Sequence, residues 1–223
     1  MARKLVVARM PLADAEAKEQ FIKFLSDASD YALQSEPGIA KYAICLPRDD
    51  LDGNVVYAVE EYADDATFNS HMSTPTVKKM MDWMGSGARL SGDPQINELE
   101  MMPGFHFSRP AVTKAISDQQ DPHVLFADLT YQPGSVDTAI PYWQEVVNTG
   151  RDDEPGTWVY AVNKDPKHEN RICVLETYES PEYLVDVHVP SKAIQDSIGN
   201  TKHLRTGLVH TKLKLIKGFL HRE

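Results

Sequence analysis

Two spacings of apolar residues alternate along this chain. Lys4 to Arg9 is a run of β-formers, and from Asp14 to Leu33 the residues Ala17, Phe21, Phe24, Leu25 and Ala28 recur at i, i+4, i+7, i+8 and i+11. That stripe predicts an amphipathic helix. Pro37-Gly38 punctuates it, and Ile39 to Leu46 returns to strand character. The Asp-rich segment Arg48 to Asn54 predicts a hairpin turn into a third strand, Val55 to Tyr62. A second helical region, Asp64 to Met84, is broken at Thr74-Pro75, where Thr can cap and Pro can open a new turn. Ile96 to Met101 is the fourth strand.

The order repeats from Val124. Val136, Ile140, Trp143 and Val147 mark a helical face, with Pro141 expected in its first turn, where a missing N–H costs little. Trp158 to Val162 and Ile172 to Tyr178 are strands paired across a turn at Asp165-Pro166; Leu184, His188, Ile194 and Ile198 continue as helix, and Leu208 to Leu215 closes the sheet. Four ordered landmarks recur: Glu36-Pro37-Gly38 as Glu154-Pro155-Gly156, Tyr62 as Tyr178, His71 as His188 and Gly104 as Gly218, at offsets of 118, 116, 117 and 114 residues. A repeat this long is a duplicated domain. The division expected is a first domain at 1–105, a linker at 106–122 and a second domain at 123–223. Each half reads βαββαβ, the ferredoxin-like arrangement. Its helices cover one sheet face and leave the other to be buried. The predicted fold is therefore α+β: two tandem ferredoxin-like units packed sheet to sheet as a pseudo-dimeric α/β barrel, competent as a monomer, with further homo-oligomers open.

Composition narrows the function. The formal charge of −10 over 223 residues argues against nucleic acid, which needs a basic stripe. Lys212, Lys214 and Lys217 alternate with apolar residues as the solvent face of a strand. In the first thirty residues the unbroken apolar run is Leu5 to Ala8, too short for a signal core or membrane span. Cys45 and Cys173 stand alone without Cys-x-x-Cys, and no Asn-x-Ser/Thr sequon occurs. A reduced, cytoplasmic protein without a membrane partner is expected. Neither a Gly-x-Gly-x-x-Gly, a phosphate loop, a Gly-x-Ser-x-Gly elbow nor metal-ligand spacing is present, and Asp49, Asp50 and Asp52 before Gly53 are turn residues. No cofactor is expected.

Glu-Pro-Gly, a strand, a hairpin, a strand ending Glu-Glu-Tyr, then Asp-Asp-Ala-Thr-Phe-Asn-Ser-His and Ser-Thr-Pro, from Glu36 to Pro75, resemble the antibiotic biosynthesis monooxygenase (ABM) domains of the dimeric α/β-barrel superfamily. The second copy, Glu154 to Ser191, keeps Glu-Pro-Gly, Tyr-Glu-Ser-Pro-Glu and His188, with Tyr178 to His188 one residue wider than Tyr62 to His71. The resemblance implies a cofactor-independent oxygenase of a phenolic or anthrone-type polycyclic aromatic, in natural-product biosynthesis, with dioxygen as co-substrate. The alternatives it leaves are a non-oxidative cyclase or ligand-binding protein, and a structural relic without a pocket. The Asn, Trp and His set of haem-degrading relatives does not map here.

In that light His71, at helical spacing with Phe68 and Met72, can accept a phenolic proton or orient the phenolate; the alternative is a packing residue bonded to backbone. His188 repeats the choice. Trp83, with the Met residues concentrated at 72, 80, 81, 84, 101 and 102, offers a floor for a flat ligand or a core aromatic. Tyr42, Tyr57 and Arg89 can bond ligand oxygens. The Met-rich first half is expected to hold the better-formed pocket, with His71 at its wall, while Ile194 and Ile198 pack the second half more tightly.

Overall fold

The structure is a computed structural model and describes residues 3–109 and 121–222; most of the expected linker at 106–122 lies outside the described residues. The elements of the first repeat are β1 (Lys4–Pro11), α1 (Ala15–Ser35), β2 (Ile39–Pro47), β3 (Val55–Tyr62), α2 (Asp65–Met72), α3 (Pro75–Gly85) and β4 (Gln95–Ser108). Those of the second are β5 (His123–Tyr131), α4 (Val136–Asp152), β6 (Thr157–Asp165), β7 (His168–Tyr178), α5 (Pro181–Tyr183), a π-helical turn (Leu184–His188), α6 (Lys192–Thr201) and β8 (Arg205–Phe219). The fold is α+β, and the hydrogen-bonded strand order β1-β3-β2-β8-β5-β7-β6-β4 closes into a barrel. Within that circle, β4-β1-β3-β2 and β8-β5-β7-β6 are the strand orders of two ferredoxin-like units.

Two compact units result: Met1–Glu98 with Lys214–Glu223, and Leu99–Leu213. Both fourth strands are longer than the apolar pattern suggested. Beyond the expected Ile96 to Met101 and Leu208 to Leu215, β4 and β8 run on through Gly104 and Gly218. Gly104 and Gly218 take positive φ, 82° and 96°, and a Cβ on Gly218 would sit 2.0 Å from the Tyr42 carbonyl oxygen. Glycine lets the strand pass where another residue would end it.

In the first unit, α1 buries the expected stripe, Ala17, Phe21, Phe24, Leu25 and Ala28. It packs on the β2 and β3 face bearing Tyr42, Ile44, Val56 and Tyr62. Asp14, Asp64 and Thr74 cap α1, α2 and α3 by accepting from backbone N–H three residues on. In the second unit, Ala139, Trp143 and Val147 of α4 pack on Ala127, Tyr160 and Val174. Because α4 begins at Val136, Pro141 sits in the second helical turn and not the first, so the carbonyl one turn back loses its helical donor. No described helix is long and apolar enough to cross a membrane.

Candidate active site

Each Glu-Pro-Gly turn does three jobs. The glutamate carbonyl accepts from the residue that opens the following strand, Ile39 N–H to Glu36 and Thr157 N–H to Glu154, both at 3.0 Å. The glycine carbonyl accepts from the residue after the third strand, Ala63 N–H at 2.8 Å and Glu179 N–H at 2.9 Å. The glycine also makes room: a Cβ would stand 2.7 Å from Thr67 at Gly38 and 2.4 Å from the Tyr183 ring at Gly156. Immediately afterwards both copies carry a register shift, at Ile39/Lys41 and Thr157/Val159. Such a bulge re-aims the next side chains, and Tyr42 and Tyr160 face the helices of their units.

A guanidinium locks each turn from behind. Arg222 donates to the carbonyls of Ala32, Leu33 and Glu36, all at 2.6 Å. Arg109 donates to Gly150, Arg151, Glu154 and Thr157 at 2.9, 2.7, 3.1 and 2.8 Å. Most of these carbonyls lie in the last turn of α1 or α4 or in the turn that follows, where the helix dipole attracts a cation.

The glutamate side chains then meet the repeated histidines. His71 Nδ1 donates to Glu36 Oε2 at 2.8 Å and His188 Nδ1 to Glu154 Oε2 at 2.6 Å. Both rings are buried, 2% and 3% exposed. Two tyrosine rings flank each imidazole: Tyr42 and Tyr62 at centroid distances of 5.7 Å from His71, Tyr160 and Tyr178 at 5.6 and 5.0 Å from His188. Tyr178 OH donates to Glu176 at 2.7 Å, and Tyr62 OH donates likewise to Glu60. A Glu-His-Tyr-Tyr-Glu cluster is therefore built twice.

The extra residue between Tyr178 and His188 has a structural answer. Leu184–His188 is a π turn closed by Val189 N–H to the Leu184 carbonyl at 2.9 Å. One residue is absorbed without rotating His188 away from Glu154, whereas α2 delivers His71 in ordinary helix.

Electrostatics separates the copies. Burial alone would push the Glu154 carboxyl up, but the bonds from His188 and from Thr157 Oγ1, 2.8 Å away, outweigh it and hold Glu154 below the usual range. The first repeat has Ile39 where the second has Thr157. Burial pushes Glu60 and Glu176 up, opposed by the nearby His71 and His188. Burial also pushes Tyr42, Tyr62, Tyr160 and Tyr178 up, so these phenols stay protonated. The Cys45 and Cys173 thiols, buried and pushed up to about 12, are poor nucleophiles.

An apolar cavity of about 210 Å³ touches the second cluster. Its walls include His188, Tyr160 and Glu176, with Leu125, Trp143, Leu184, Ile194 and Ile198, and Arg205 and His210 of β8. The sequence expectation places the better-formed pocket in the first half. There Met80, Trp83 and Met84 pack against the core and Trp83 leans on Phe21 and Phe24, at 6.5 and 5.3 Å. Long, bendable Met side chains fill irregular space that shorter Ile residues leave open. Trp83 and Arg89 instead line a polar groove of about 490 Å³ beside the start of α1, with Arg89 5.0 Å over the Trp83 ring; His71 is not among its walls.

Of the other sequence candidates, Tyr42 joins the first cluster and Phe68 sits edge-on to Tyr62 at 5.3 Å. Met72 is 39% exposed and faces away. Tyr57, one residue from Val56 and Ala58 of the helix-facing row, points to the opposite sheet face. The chemical roles of Glu36, Glu154, Tyr160, Glu176 and the two arginines escaped sequence reasoning. The repeated Glu-Pro-Gly and Glu-x-Tyr were in view, but nothing local says that a turn and a helix 34 or 35 residues later meet.

Residues 5–83 match the family model described as antibiotic biosynthesis monooxygenase. No curated protein matches the chain. Among solved structures, a Fusobacterium nucleatum protein provisionally described as a monooxygenase is 17% identical, with a TM-score of 0.82 over 100% of this chain and 98% of that one. A Lactobacillus acidophilus protein, also provisionally a monooxygenase, is 11% identical, with a TM-score of 0.78 over the whole of both chains. A protein described as anthrone oxidase-like is 10% identical, with a TM-score of 0.61 over 97% of this chain and 92% of that one. At these identities the likeness is one of fold.

Proposed function

From the match of residues 5–83 to the antibiotic biosynthesis monooxygenase model, we propose that this protein is an oxygenase of an electron-rich phenol and that the reaction takes place in the second repeat, beside His188. The observation that carries this reading is the coincidence of the apolar cavity with a histidine whose Nδ1 is held by an ionised carboxylate. That bond places the ring proton on Nδ1 and leaves Nε2 as the base. Nε2 takes the phenolic proton; the phenolate gives electrons to dioxygen, one oxygen atom adds to a ring carbon bearing hydrogen, and the other leaves as water. The sum is phenol plus dioxygen to quinone plus water, with the reducing electrons drawn from the substrate. The apolar wall keeps water from the reactive phenolate. An apolar cavity of about 150 Å³ holds one benzene, so 210 Å³ fits a single substituted ring better than a three-ring anthrone.

The test is oxygen uptake by metal-stripped protein with single-ring hydroquinones and naphthols. His188→Ala should lower uptake by about 10²-fold or more, the size expected for a lost general base, while His71→Ala keeps activity per folded molecule. Equal loss in both variants would defeat the assignment to the second repeat. Substrate conversion without oxygen uptake would favour a non-oxidative cyclase.

A further inference from the structure

The polar lining of the second-repeat cavity is divided by element. His188, Glu176 and Tyr160 come from the π turn, β7 and β6, while Arg205 stands on β8. Arg205 Nη2 donates to Thr201 Oγ1 at 3.0 Å and Ser197 Oγ at 3.4 Å, and its buried Nε has no partner. The hydroxyl of Tyr131 and the imidazole of His210 are further neighbours of its charge. Its bonded partners are thus neutral hydroxyls. The Glu176 carboxyl lines the same cavity but is committed to Tyr178 OH at 2.7 Å. Arg171, by contrast, is paired to Asp128 and Asp165, both at 2.7 Å. A cation with its fork steadied by two hydroxyls, a donor left over and an apolar cavity in front of it is arranged for an anion that the protein does not supply.

We infer that the substrate carries an anionic group, a carboxylate on its single ring, bound by Arg205 while the phenolic hydroxyl is turned to His188. This rests on the reading that the second-repeat cavity receives the substrate, and it does not depend on the oxygen chemistry. Arg205 sets specificity and orientation; His188 remains the base.

The experiment compares 4-hydroxybenzoate with its uncharged counterpart 4-hydroxybenzyl alcohol, by calorimetric titration and by amide chemical shifts of the full chain. The acid should bind at least about tenfold more tightly, the scale of one charge-assisted bond over a neutral one. Its shifts should centre on Ser197, Thr201 and Arg205. Arg205→Gln should erase the preference by weakening the acid far more than the alcohol, and Arg205→Lys should restore part of it. Equal affinities, binding of neither, a preference that survives Arg205→Gln, or shifts centred on the basic hairpin around Lys167 and Arg171 would each overturn the inference. The wild-type shifts decide even where a variant fails to fold. Selective acid binding without oxygen uptake would sink the oxygenase reading alone; uptake with neutral phenols and no acid preference would sink this one alone.

Discussion

Loss of the imidazole at position 71 leaves the Glu36 carboxylate, its side chain 11% exposed, without its donor in a site closed by Tyr42 and Tyr62. His71→Ala should therefore destabilise the protein by about 1–3 kcal/mol, the desolvation cost of an unpaired polar group, measured by chemical denaturation. Glu176 behaves oppositely. Its folded pKa is raised by burial, so the unfolded chain ionises first as pH rises and stability drains away above the ordinary carboxylate range. Glu176→Gln removes that loss. The melting midpoint of the variant should gain on wild type as pH rises above the ordinary carboxylate range; a constant difference would overturn this account of Glu176. Residue-scale roles were only half legible in the sequence. His71 and His188 stand out because they recur, but a recurring histidine reads the same whether it meets a cavity or a packed wall. Met80 and Met84 pack against the first core while Ile194 and Ile198 line the second-repeat cavity, and residue type alone does not say which side chains fill space and which border it.

At the scale of elements, the Arg109 and Arg222 clamps carry the next expectation. Arg109 satisfies carbonyls of Gly150, Arg151 and Glu154 at the end of α4 and so fixes the turn that presents Glu154. Arg109→Met should cost about 1–3 kcal/mol, and Arg109→Lys should recover little, because a point charge cannot fork across several carbonyls. Thermal unfolding of the two variants beside wild type checks this; full rescue by Lys would reduce the clamp to simple charge. Elements with a clean period were readable: the α1 stripe and β3 at Val55–Tyr62 match their patterns. The π turn was not, although its cause, one extra residue before His188, is visible in the sequence. An insertion shows that something must bulge and not where the bond pattern will change.

For the whole molecule, the repeats in sequence and the compact units in space are cut differently. The first unit takes Lys214–Glu223 from the far end of the chain, and with it Gly218 and the Arg222 clamp on α1. A fragment of residues 1–98 should consequently show no cooperative unfolding in circular dichroism, whereas residues 99–213, an unbroken stretch, should. A sharp transition from 1–98 alone would contradict the unit assignment. Seen from the ribosome, this layout reverses the order in which the halves are finished. The second unit is complete in one pass, while β2 waits for β8 through the synthesis of residues 99–213. At roughly 5–20 residues per second that wait is on the order of ten seconds. Limited proteolysis of stalled nascent chains should find residues 99–213 protected first, so the half encoded first is the last to close, and its open strand edge is the part of the nascent chain most in need of shelter.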